Sequence, residues 1–195
     1  MALADFFDRN SWVNVVIKPK ETFAAKKAGA SIEKGLANYA LAGVAEGFLT
    51  WFIIALTLGI EGGAADIALF LLGSVIISSV IYILAPFIIS IVLLVFAKLF
   101  GGKGSFATQY YLISLYVLPI VVVSIIAGQI PFVGEVLSFL FVLYAVIWLT
   151  TMALNETHGY DNLRAALTWL APFIIFLFLS LLLMPMVSAN RLWLF

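Results

Sequence analysis

Long apolar runs dominate the chain and set its predicted architecture. A helix needs about 20 residues to cross about 30 Å of hydrocarbon. Five runs reach that length: 36–60, 67–97, 106–128, 132–154 and 163–186. Because whole stretches of them are apolar on every face, the alternating strands of a membrane barrel are excluded. The pattern therefore predicts an all-α, polytopic integral membrane protein with five transmembrane helices.

The second run, 67–97, is ambiguous, since a single helix of that length would extend about 46 Å at about 1.5 Å per residue. Pro86 lies inside the run and lacks the amide hydrogen that would bond four residues back. We therefore expect either one kinked span or a broken one. A kink or tilt would accommodate the excess length of a single span.

The positions of the basic residues favour five spans. With the N-terminus in the cytoplasm and the C-terminus outside, nine of the ten basic residues fall on the cytoplasmic side, as the positive-inside rule requires. They are Arg9, Lys18, Lys20, Lys26, Lys27, Lys34, Lys98, Lys103 and Arg164, which leaves only Arg191 outside. This divides the chain into an amphipathic and basic cytoplasmic segment (1–35), a five-helix membrane domain (36–187) and a short external tail (188–195).

Composition supports the same class. Hydrophobic residues make up 65% of the chain and charged residues 10%, against about 45–50% and about 25% in soluble domains. A soluble enzyme and a nucleic-acid binder are excluded, and the lipid bilayer of the cell membrane is the expected partner. Protein partners or a second copy remain open. The basic segment before the first span either contacts anionic lipid or only sets topology.

Glu46 is the one acidic residue that falls well inside a predicted span. An intramembrane carboxylate is costly and marks a functional site by default. Gly43 and Gly47 form a G-x-x-x-G pattern beside it, which allows another helix to approach closely. Two interpretations follow: a proton-linked or ligand-binding acid, or a glutamate bonded to a hydroxyl at a helix contact.

Other intramembrane polar side chains are hydroxyls. Ser74, Ser78 and Tyr82 recur every four residues and so share one face of the second span. Tyr116 and Tyr144 lie in the third and fourth spans. These hydroxyls either line a small polar cavity or bond neighbouring helices.

No pattern points to catalysis, a cofactor or a metal. Cysteine is absent, and the single histidine, His158, is expected in a loop beside a helix-ending Gly159. The segment 101–105 lacks the spacing of a phosphate loop, because Gly104 follows Lys103 where Ser or Thr is required. The chain is therefore expected not to be an enzyme.

The order of several short motifs resembles that of Yip1-domain membrane proteins. The segment 98–106 (KLFGGKGSF) is similar to the turn that follows the second span of the family, and 18–23 (KPKETF) to its entry before the first span. The matching positions are Pro19, Phe23, Gly101, Gly102, Lys103, Gly104, Tyr116, Pro119, Pro131, Gly134, Tyr144, His158 and Gly159. The resemblance covers roughly residues 15–185 and implies five spans with a cytoplasmic N-terminus.

The resemblance implies less about function. Eukaryotic Yip1 relatives bind prenylated Rab-type GTPases, but their Asp-Leu-Tyr-Gly-Pro motif is absent here and their Gly-Tyr motif is replaced by Tyr110-Tyr111-Leu112. The short form resembles prokaryotic members, so GTPase binding is not expected. We expect a non-enzymatic scaffold or interaction protein. The alternative is a small transporter or channel that uses Glu46 and the face of Ser74, Ser78 and Tyr82.

Overall fold

The fold is a helical bundle. The computed structural model describes residues 9–57 and 63–191, and the side chains of 11–57 and 63–183. These residues form seven helices and no strand: α1 (Arg9–Ile17), α2 (Pro19–Lys27), α3 (Ile32–Thr57), α4 (Ala64–Leu99), α5 (Phe106–Gly128), α6 (Gly134–His158) and α7 (Asn162–Arg191). One π-helical segment, Tyr144–Leu149, interrupts α6.

Five of these helices, α3 to α7, are long and apolar enough to cross a membrane. The predictions of an all-α fold and five spans are confirmed. The run 67–97 lies within one continuous helix, α4 (Ala64–Leu99), which has 36 residues and contains Pro86. This helix is about 54 Å long at about 1.5 Å per residue. Of the two alternatives, a broken span is therefore wrong and a single span is correct.

Local signals fix several helix ends. The Ser31 hydroxyl accepts the backbone N–H of Lys34 at 3.3 Å, so α3 begins at Ile32 and takes up the last residues of the predicted 1–35 segment. The Ser105 hydroxyl accepts the N–H of Thr108 at the start of α5. Residues 58–60, predicted to end the first span, lie outside the described residues, as do the side chains of the predicted tail at 188–195.

Helix α5 is the central element of the bundle, and more of it is buried than of any other span. Helices α3 and α6 pack along it, α4 packs on α3, and α7 packs on α4 and on the last turns of α6. The two short helices α1 and α2 form an N-terminal hairpin, in which α1 lies on α5 and α2 lies on the last turns of α6.

One end of the bundle is basic. The α4–α5 turn meets the α6–α7 turn there, since Lys103 N–H donates to the His158 carbonyl at 3.2 Å. Lys34, Lys98 and Arg164 lie at the same end, which we call the basic end. At the opposite end, the described side chains include Asp66 and Glu135 but no basic residue.

Packing is uneven between the two ends. On α4 the buried residues are Ser90, Leu93 and Ala97, all near the basic end. On α7 every residue from 173 to 183 is exposed, whichever side of the helix it occupies. We call the closely packed part the basic-end half. The open half is the rest of the bundle. There α4, α6 and α7 expose most of their apolar side chains, which lipid must cover.

Candidate functional site

The polar interior of the basic-end half holds the most constrained side chains, and His158 is at its centre. His158 is only 2% exposed and is the last residue of α6. The prediction of a loop histidine is wrong, because the left-handed conformation begins one residue later, at Gly159 (φ 69°). Helix α6 therefore carries the imidazole into the bundle.

Both ring nitrogens of His158 are occupied. Nδ1 accepts the backbone N–H of Gly104 at 3.1 Å, and Nε2 lies 2.9 Å from Oε1 of Gln109. Because Nδ1 accepts, Nε2 carries the hydrogen and the ring is neutral. The Gln109 amide then donates to the Ser90 carbonyl at 2.7 Å. This chain joins α6, α5, α4 and the α4–α5 turn in one network.

Gln109 and Ser90 were not predicted as site residues. The sequence could have indicated them, since each is a polar residue inside or at the edge of a long apolar run. The hydrogen-bond partners were not readable, because Ser90, Gln109 and His158 are far apart in sequence. Only the packing of α4, α5 and α6 brings them together.

The glycines of the turn after α4 are required by close approach to this histidine. A Cβ on Gly102 would lie 2.7 Å from Nδ1 of His158, and one on Gly104 would overlap the Thr157 backbone. Gly101 has a φ of 84°, which favours glycine. The backbone N–H of Lys103 is taken by the His158 carbonyl, while its side chain is exposed.

Tyr116 and Tyr144 form two further links. Thr150 donates to the Ala145 carbonyl at 3.0 Å inside the π-helical segment, so the Tyr116 hydroxyl, 2.7 Å from Thr150, is the donor to it. The Tyr144 hydroxyl donates to the Val16 carbonyl of α1 at 2.7 Å. These tyrosines bond α5 to α6 and α6 to the N-terminal hairpin.

The family-like positions in α2 pack on the same region. Pro19 is the first residue of α2, where a missing N–H costs nothing. Phe23 is fully buried, and its ring lies edge-on to Tyr116 with centroids 6.5 Å apart. Lys27, at the end of α2, pairs with Glu156 at 3.3 Å.

The remaining family-like positions lie elsewhere. Pro119 is inside α5. Pro131 and Gly134 belong to the α5–α6 turn at the opposite end, where a Cβ on Gly134 would lie 2.6 Å from the carbonyl oxygens of Ala127 and Gly128. These three residues shape helices and a tight turn, and they do not reach His158.

Gly43 and Gly47 lie in the contact between α3 and α4. A Cβ on Gly43 would come within 2.5 Å of the Ser79 Cα, and one on Gly47 within 2.7 Å of the Ser74 carbonyl. The Ser74 hydroxyl bonds the carbonyls of Gly47 and Leu71. We call this contact the glycine seam.

Glu46 is half-buried beside the glycine seam. Its carboxylate accepts the Thr50 hydroxyl at 3.1 Å, one turn along the same helix. Tyr82 of α4 is close enough to interact electrostatically with the carboxylate, and the Ser78 carbonyl lies against Gly43. The predicted face of Ser74, Ser78 and Tyr82 is thus directed at α3.

The described residues contain no group of three His, Asp or Glu positioned for a metal ion. The polar side chains near His158 bond one another across helices. What the arrangement does chemically is hold α4, α5, α6 and the N-terminal hairpin in fixed relation in the basic-end half.

Comparison with known proteins agrees with this architecture. The model of the Yip1 domain family matches residues 13–184, which is most of the chain. No curated protein and no solved structure matches. The matched range includes Phe23, the glycine turn and His158, which the fold brings to one end of the bundle. The chain belongs to the Yip1 domain family.

Proposed function

We propose that this protein is a non-enzymatic scaffold or interaction protein of the cell membrane, with its basic end in the cytoplasm. One observation carries the proposal: the strongest polar side chains of the interior are used in bonds between helices. His158, Gln109, Tyr116 and Tyr144 each bond a different element. Such bonds stabilise one arrangement of helices.

The basic end suits presentation of a fixed surface. Its two turns are bonded to each other through His158, and α2 is tied to α6 by Lys27, whose ammonium also donates to the Glu156 carbonyl at 2.5 Å. A surface whose backbone is held from several sides can bind a partner with little ordering cost.

The transporter alternative rests on Glu46. The carboxylate is half-buried within a membrane span, and Tyr82 of α4 lies within electrostatic range of it. Against it, Thr50 of the same helix bonds the carboxylate, and the adjacent Gly43 and Gly47 are closed against α4. These contacts favour a packed glutamate.

Reconstituted liposomes distinguish the two functions. We expect proton and monovalent-cation flux through wild-type protein to equal that of protein-free liposomes, and Glu46→Gln to change nothing. The matched control is Thr50→Val, which removes the bond to the carboxylate and leaves its charge. Flux above background that Glu46→Gln abolishes would overturn the scaffold proposal in favour of transport.

Orientation is tested with single cysteines, which the cysteine-free chain allows without background. Lys103→Cys lies in the basic-end turn and Gln129→Cys in the α5–α6 turn. In intact cells an impermeant maleimide should label position 129 and leave position 103 unlabelled until the membrane is broken. The reverse pattern would place the basic end outside and contradict the proposed topology.

A further inference from the structure

The N-terminal hairpin has one face that packs on the bundle. Val15 of α1 and Phe23 of α2 are fully buried. Tyr144 bonds the Val16 carbonyl, which lies in the last turn of α1, where carbonyls lack helical partners. Lys27, at the end of α2, pairs with Glu156 near the end of α6. Both helices of the hairpin are therefore held against the bundle.

The other face of the hairpin combines apolar and basic side chains. Val13 is 53% exposed and Ile17, one turn later, 68% exposed. Lys18 follows at once and is exposed. Lys20 is also exposed but lies toward α6, where it lines a pocket with Glu156 and Asp161. An apolar stripe bordered by lysines is typical of a helix that lies in the membrane interface. Lysine stems can cover apolar surface while the ammonium reaches the head groups.

The charges of this region require a negative partner. The basic end and the hairpin together carry eight basic and four acidic described side chains. Lys27 and Arg164 are paired with Glu156 and Asp161. The ammonium groups of Lys18 and Lys20 make no hydrogen bond or ion pair within the described part of the chain, so their charges are available for binding.

A groove between α1 and α2 offers room for a phosphate-bearing head group. Its volume is about 280 Å³, and the side chains that line it include Ser11, Asn14, Lys18, Glu21, Thr22 and Lys26. Hydroxyl, amide and ammonium groups are the donors that phosphate oxygens accept. Lys18 is the lysine of this groove whose ammonium has no partner among the described residues.

We propose that the outer face of the N-terminal hairpin is a binding site for anionic phospholipid head groups. Val13 and Ile17 enter the acyl boundary, and Lys18 contacts the phosphates. The site would couple the packing of the basic-end half to the lipid composition of the adjacent leaflet. This inference goes beyond scaffolding and does not depend on it.

The first experiment measures thermal unfolding of the full chain in detergent during titration with phosphatidylglycerol, phosphatidylcholine or soluble glycerol phosphate. We expect phosphatidylglycerol to raise the midpoint more than phosphatidylcholine does, and glycerol phosphate to have no effect. In Lys18→Gln the apparent dissociation constant for phosphatidylglycerol should rise about fivefold. Lys18→Arg should retain wild-type binding.

Lys103→Gln is the matched control. It removes an exposed lysine at the same end of the bundle but outside the hairpin. If Lys103→Gln weakened binding as much as Lys18→Gln, diffuse attraction would explain the preference and the site would be refuted. Equal midpoint shifts with phosphatidylglycerol and phosphatidylcholine would also refute it, and would leave an acidic protein segment as the occupant to test.

A second readout concerns insertion and does not depend on affinity. A spin label at Ile17→Cys in reconstituted bilayers should collide more often with oxygen than with a water-soluble nickel complex. The same label at Lys103→Cys should show the opposite ratio. Preferential collision of the Ile17 label with nickel would place the hairpin face in water and overturn the proposal. None of these outcomes bears on flux or topology, so the scaffold proposal is tested separately.

Discussion

The two halves of the bundle are built from similar apolar residues but are held together differently. In the basic-end half, Leu112, Leu149 and Leu154 are fully buried, and a polar network crosses between helices. In the open half, α7 exposes Leu181 and its neighbours on all sides. The difference shows that apolar composition places a helix in the membrane, whereas packing and buried hydrogen bonds decide where helices stay together.

Two helix contacts extend into the open half. At the glycine seam, Gly43 and Gly47 bring the α3 backbone against α4 at Ser74 and Ser79. The first turns of α6 pack on the last turns of α5. Close backbone approach gains dispersion contacts that lipid cannot provide as well. The open half is therefore most exposed at α7.

The largest expected difference between the halves comes from one leucine in each. Leu154→Ala should lower the free energy of unfolding by about 2–5 kcal/mol, because the side chain is fully buried and a cavity remains. Leu181→Ala should change it by less than about 0.5 kcal/mol, since the side chain is 63% exposed and lipid or detergent fills the space. Unfolding by denaturing detergent, followed by tryptophan fluorescence, measures both. Equal losses would contradict the division into two halves.

A smaller effect is expected at the centre of the polar network. His158→Phe keeps a planar ring but leaves the Gly104 N–H and the Gln109 amide oxygen without partners. The total cost should be about 1–3 kcal/mol and should come mainly from the Gln109 oxygen, which stays buried, because Gly104 is only half-buried and water can reach its N–H. Hydrogen exchange of the Gly104 amide should accelerate in this variant while amides of α3 keep their protection. Uniform acceleration in all helices would show that His158 stabilises the whole fold and not the two turns.

The smallest effect is expected at the tyrosine bonds. Tyr116→Phe removes the donor to Thr150 and should cost about 0.6–1.7 kcal/mol, the range for interhelical hydrogen bonds in membranes. The control is Ser180→Ala in the open half, whose hydroxyl bonds only the Phe176 carbonyl of its own helix. The same unfolding assay applies. If Ser180→Ala cost as much as Tyr116→Phe, cross-helix hydroxyl bonds would not distinguish the halves.

Much of the architecture was predictable because it depends on length and polarity. The five runs became five helices, and 67–97 formed one helix despite Pro86. A helix satisfies its own backbone hydrogen bonds inside a run of that length, so its existence needs no distant residue. Helix ends were less predictable. His158 and Ile32 both fell inside helices, because caps at Gly159 and Ser31 act over one to three residues.

The site could be predicted only in part. The family-like motifs named Phe23, the glycine turn and His158, but gave no reason for their shared presence. The structure supplies one, since the glycine turn contacts His158 and Phe23 packs on Tyr116 in the same half of the bundle. Glu46 was a predicted site residue because it is the one acidic residue well inside a span. Its carboxylate accepts a hydrogen bond from Thr50 of its own helix. The more constrained interior is the network of His158, Gln109 and Ser90, whose partners lie on three helices.

The sequence by itself determined the solvent of this protein, the number of its spans and the end of the bundle that carries its positive charge. These follow from hydrophobicity, length and charge, which act locally along the chain. Only the tertiary structure decided that a histidine at a helix end would be buried and that three distant polar residues would bond. It also decided that the helices would pack closely in one half and leave their side chains exposed in the other. Those outcomes depend on which side chains contact each other across helices. Apolar runs of similar hydrophobicity do not specify these contacts.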